Sequence, residues 1–120
     1  MRAALLGLGR LAVGCSPPAP PAVAVDVSCV PESRPLRRLC TVRITDRQTG
    51  AAVRGATVTL HADMQSMPMA HSVPPAPAAP GAEPGVYRGV VELEMKGRWV
   101  VAVRIAGPVN DQVTHTIDIE

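Results

Sequence analysis

The sequence predicts an all-β domain built as an antiparallel sandwich, and three observations carry that prediction. Apolar residues recur with period two along several short segments, and no stretch shows the 3.6-residue period of an amphipathic helix. Val is used heavily, whereas the aromatics amount to one Trp, one Tyr and no Phe, so an aliphatic, strand-favouring core is expected. Clusters of Gly, Pro, Asn and Asp break the apolar segments at short intervals, as turns do. At 120 residues the chain has room for a single small core.

The elements follow in order. Ala22 to Cys29 reads as a first strand, with Val23, Val25, Val27 and Cys29 in phase, and Leu39 to Thr45 as a second, with Cys40, Val42 and Ile44 in phase. Asp46-Arg-Gln-Thr-Gly50 is a turn cluster. Val53 to Ala62 alternates Ala56, Val58 and Leu60 against Thr57, Thr59 and His61. A long connection follows from Asp63 to Gly85. Its Pro-rich part, residues 72–85, holds Pro74, Pro75, Pro77, Pro80 and Pro84 and is expected not to form a central strand. Val86 to Met95 is the next strand, with Tyr87, Val91, Leu93 and Met95 on one face. Lys96-Gly97 turns into Arg98 to Ile105, where Trp99, Val101, Val103 and Ile105 share a face. Gly107-Pro-Val-Asn-Asp111 turns again, and Val113 to Ile119 closes the domain. About six to seven such strands describe an immunoglobulin-like antiparallel β-sandwich.

Residues 1–15 read as an export signal. Arg2 supplies a positive start, and an apolar run ends in small residues. Leu11-Ala-Val-Gly-Cys15 is similar to a bacterial lipobox, in which the cysteine becomes the lipidated first residue of the mature protein. Arg10 within the apolar run and Ala12 depart from that pattern, so a plain cleavable signal or a misplaced start codon stays open. Residues 16–21, rich in Pro, form a stiff tether, and residues 22–120 form the domain. The expected location is the periplasmic or other extracytoplasmic side, lipid-anchored to the membrane. With Cys15 set aside, Cys29 and Cys40 are an even pair, each in phase with the inward positions of its strand. A disulfide between them would stabilise by roughly 3 kcal/mol in the chain-entropy model. A metal-binding cysteine pair is disfavoured because the C-x-x-C spacing is missing.

The formal charge is +2, the arginines are scattered, and there is almost nothing to stack bases on, so nucleic acid is not an expected partner. No arrangement of Ser, His and Asp or of Cys and His suggests an enzyme. The chemistry is concentrated in His61-Ala-Asp-Met64-Gln-Ser-Met67-Pro-Met69-Ala-His71, which holds three of the five Met and two of the three His. Thioethers suit Cu(I), and imidazole serves copper in either oxidation state. Met67, Met69 and His71 are spaced by two, so an extended backbone would present them on one side. His61, Met64 or Met95 would complete the set, with Trp99 shielding the ion. The same residues also suit packing, since Met fills irregular gaps, and Met64, Met95 and Trp99 fall in phase with core positions. His115 shares a face with Val113 and Ile117 and reads as a core histidine. If the strand ending at Ala62 formed a simple hairpin with the one starting at Val86, the Met/His segment would lie far from Met95.

Thr49-Gly50, Gly55-Ala56, Met64-Gln-Ser-Met67-Pro-Met69, Gly85-Val-Tyr87 and Met95-Lys-Gly97-Arg-Trp99 together resemble the YtkA-like/FixH-like domain of exported bacterial proteins, over roughly residues 22–120. The usual motif has Pro where this chain has Gln65, which removes no ligand. The resemblance implies an immunoglobulin-like sandwich outside the cytoplasm, often a lipoprotein in copper and heavy-metal handling systems. The Met-x-Met, His and Trp set is also similar to that of small periplasmic copper-efflux chaperones, by analogy of site alone. The resulting expectation is an exported Cu(I)-binding protein that passes the ion to a membrane transporter or an oxidase-assembly protein. The alternative is a metal-free sandwich that serves as an accessory module of such a system.

Overall fold

The computed structural model describes residues 22–66 and 73–120, all in strands and their connections. Among the described residues the seven strands are β1 (Val23–Glu32), β2 (Arg34–Asp46), β3 (Thr57–Met64), β4 (Ala76–Pro80), β5 (Val86–Glu92), β6 (Gly97–Ala106) and β7 (Asp111–Ile119). Every pairing is antiparallel, in the order β1-β2-β5-β4-β3-β6-β7. Taken in chain order, this is the A-B-E-D and C-F-G arrangement of an immunoglobulin constant-type sandwich. Here β4 bonds to both halves and joins them into one nearly closed sheet.

Apart from Met95, the predicted faces are the observed ones. Val42, Ile44, Val58, Leu60, Val101, Val103 and Ile105 are sealed inside with Trp99 and Tyr87, because period-two alternation sends every second side chain to the core. Tyr87 supplies the polar fastening. Its hydroxyl donates to the Val53 carbonyl (2.8 Å) and accepts from the Ala56 amide (3.1 Å), tying β5 to the chain entering β3. That chain, Val53 to Ala56, is thus held by Tyr87 and lies ahead of the strand, which starts at Thr57 rather than Val53. Tyr87→Phe is expected to lower unfolding free energy by about 1–3 kcal/mol, since it orphans two backbone groups. A urea titration with an unchanged midpoint would contradict this bond.

Two expectations need correction. The Pro-rich segment does form an internal strand: β4 lies between β3 and β5. It escapes the penalty for proline by dividing its pairing. Ala76 to Ala78 pair with β3, and Ala79 and Pro80 pair with β5, so no proline has to serve two full ladders. The strand beginning at Val86 ends at Glu92 rather than Met95. Leu93 to Lys96 form the turn into β6, and Met95 is exposed instead of continuing the inward face.

The first hairpin is longer than its apolar pattern. It turns at Ser33, whose φ of 61° is in the left-handed region, and a bulge between Pro31 and Glu32 adjusts the register. Cys29 and Cys40 face each other directly across it and form a disulfide. At the opposite end of β2, the Asp46 carboxylate accepts the Thr49 and Gln48 amides (3.0 and 2.8 Å). These bonds, that of Thr49 foremost, lower its pKa. The stability they add is therefore present above the ordinary aspartate pKa and fades as pH falls through the depressed value.

Candidate functional site

β3 runs antiparallel to β6, and this places Met64 opposite Trp99. One further bond, from the Gln65 amide to the Arg98 carbonyl (3.1 Å), carries the ladder past the end of β3. The chain is fastened again at Val73, a buried residue whose amide donates to the Ala62 carbonyl (3.2 Å). Both flanks of the Met/His segment are therefore anchored at one end of β3. Met67, Met69 and His71 themselves fall outside the described residues, as does Cys15.

β3 and β5 do not form a simple hairpin. Because β4 intervenes and reverses the chain, β3 and β5 run in the same direction and finish at the same end. The turn after β5 carries Met95, so Met95 lies at the end where β3 delivers Met64, not at the far one. Met64 is buried, and its methyl group packs where a side chain on Gly97 would stand. Gly97 has φ 137°, which a residue with a Cβ adopts only under strain. Met95 is 39% exposed. Its carbonyl accepts the Trp99 indole N–H at 3.0 Å, so the sealed Trp99 holds the turn that displays Met95.

His61 is placed differently. Alternation along β3 sends Ala62 and Met64 inward and leaves His61 and Asp63 half-exposed on the outer face. His61 and Met64 therefore point to opposite sides of the sheet and do not meet. The His61 Nε2 lies 3.8 Å from the Asp63 carboxylate, in a groove of about 190 Å³ that Thr59, Arg104 and Gln112 also line. His115 lies across from Val101 on the inner side, half-buried at the margin of the core. Among the described residues, no three His, Cys, Asp or Glu side chains gather.

One feature of this end has no signal in the sequence. A groove of about 420 Å³ opens between the first hairpin and the β5–β6 turn, lined by Arg34, Pro35, Leu36, Glu92, Leu93 and Lys96. The Leu93 amide donates to the Leu36 carbonyl (2.8 Å) and closes its floor. Arg34 and Arg37 both pair with Glu92 on its rim, and Arg37 also reaches Glu32. These are exposed pairs of small energetic weight, but they order the surface beside Met95. The groove needs partners some sixty residues apart, so no local pattern could reveal it.

The fold and this arrangement define a small immunoglobulin-like sandwich with Met residues displayed and packed at one end. The chain belongs to the YtkA-like family, whose model matches residues 23–104. Searches of curated proteins and of solved structures returned no match.

Proposed function

We propose that this is an exported, membrane-anchored Cu(I)-binding protein that acts in metal handling or delivery and has no catalytic role of its own. Met67, Met69 and His71 supply the first donors, and His61, Met64 or Met95 adds a further one. The observation that supports this most is that both flanks of that segment, at Gln65 and Val73, are anchored at the end of β3 where the Met95 turn also lies. Of the three accessory donors Met95 is exposed at this end, Met64 is enclosed, and His61 is half-exposed on the outer face. Soft sulfur donors at a water-accessible edge suit a monovalent soft cation. The ion would pass to or from a membrane transporter or an oxidase-assembly protein, with Cys15 as the lipid anchor.

Competition against a chromophoric Cu(I) chelator tests this reading. One-to-one binding of sub-micromolar affinity is expected, weakened at least about tenfold, or roughly 1.4 kcal/mol, in Met67→Ala/Met69→Ala. A protein that leaves the chelator fully loaded would refute it. The buried Met64 supports a second reading, in which the methionines mainly pack and the domain is a metal-free accessory module of a membrane system. That reading expects no competition at all and no change in the double variant.

A further inference from the structure

We propose that the fold holds the Met64–Met95 end of this protein away from the membrane. This rests on the export and anchoring part of the reading above and is independent of copper.

The strand registers set the polarity. Val23 lies opposite Asp46, and the Ala22 carbonyl accepts the Arg47 amide (3.0 Å). The chain thus enters the domain beside the β2–β3 connection. On β2, Asp46 lies beyond Arg43, which is opposite Val86 at the start of β5. Met95 follows the other terminus of β5, and Met64 closes β3 beside it. The entry point and the Met-bearing end therefore occupy opposite ends of the sandwich. The ten residues of β1 cover about 30 Å of that axis at roughly 3.3 Å per residue.

The tether is short by comparison. Residues 16–22 span no more than about 25 Å even when fully extended. If Cys15 carries the lipid, the entry end is kept near the bilayer and the Met-bearing end extends beyond it. Neither broad face offers lipid an uninterrupted apolar surface on which to lie. One outer face carries Asp26, Arg43 and Arg88, and the other carries Asp63, Arg104 and Asp118. The apolar row Val30, Leu39 and Val90 on the first face is bordered by Arg88 and by the Arg37–Glu92 pair. An upright stance leaves these charges in water.

The test uses the full-length lipidated protein in phosphatidylethanolamine/phosphatidylglycerol vesicles doped with a head-group nitroxide lipid. Lys96→Cys, at the β5–β6 turn, and Asn110→Cys, in the β6–β7 connection at the entry end, each carry a fluorophore. Cys29 and Cys40 are bonded to each other and Cys15 is acylated, so the engineered thiol takes the label. Quenching at position 110 is expected to exceed that at position 96 by at least about threefold. Equal quenching means the domain lies on its side, and the reverse order means the Met-bearing end faces lipid. Either result overturns the proposal. A protein that does not float with the vesicles overturns it as well, by removing the anchor. A failed copper titration would leave the quenching order unchanged, so the two readings fail separately.

Discussion

Replacing Trp99 with alanine is expected to lower unfolding free energy by about 3–5 kcal/mol, in the range for a buried large aromatic. Trp99 is fully enclosed. It lies opposite Met64 on one side and Ile117 on the other, on the middle strand of the C-F-G half near its Met-bearing end. Small domains are stable by only about 5–15 kcal/mol, so this loss is a large share of the total. At about 4–8 °C per kcal/mol for a domain of this size, the thermal midpoint should fall by at least 12 °C. Trp99→Phe separates packing from hydrogen bonding. It keeps much of the ring volume but loses the N–H that holds the Met95 carbonyl, and should cost about 1–2 kcal/mol. Circular dichroism melts of both variants provide the measurement. If alanine melted within a few degrees of the parent, Trp99 would not be the core residue described here.

Gly89→Ala is expected to destabilise by about 3 kcal/mol although it adds only one methyl group, at the upper end for overpacking. A Cβ at this position would stand 2.5 Å from the Pro77 carbonyl oxygen, 3.0 Å from Leu60 Cδ1 and 3.1 Å from Ala78 Cα. Two of those three atoms belong to the β4 backbone and cannot rotate away. Relief requires β4 to lift off β5, which opens the seam joining the two halves of the sheet. Chemical denaturation should show the midpoint fall, and hydrogen exchange at Ala78 and Ala79 should quicken more than at Val101 or Val103. A parental midpoint would mean that β4 does not cross β5 where Gly89 stands.

Gly89 also shows where sequence reading stops. Within Val86 to Leu93 it looks like a weak spot in a strand. Its purpose emerges only when Pro77 and Ala78, more than ten residues earlier, lie across it. The prolines that argued against a strand are tolerated for the same reason, because a strand shared between two short ladders needs few amides. β4 has a wider consequence, because it sets the direction of β5 relative to β3. That direction decides whether Met64 and Met95 lie at the same end or at opposite ends. The inward positions were legible throughout, from Cys40, Val42 and Ile44 to Trp99, Val101 and Val103. So was the pairing of Cys29 with Cys40, since two cysteines in phase on adjacent strands have little alternative. Counting in twos along β5 puts Met95 on the inner face only by running past Glu92, where the strand ends.

The sequence alone determined the class of fold, the facing of nearly every strand, the disulfide and the concentration of soft donors between His61 and His71. All of these depend on alternation or on residue type, which are local properties that survive without knowledge of the partners. Only the tertiary structure decided the strand order, the insertion of β4, the separation of His61 from Met64 by the sheet, and the meeting of Met64 with the Met95 turn. Those depend on which strands share hydrogen bonds, and many pairings of seven short strands satisfy the same alternating pattern. The choice among them is made by close packing at sites such as Gly89 and Gly97, where the fit involves segments distant in the chain.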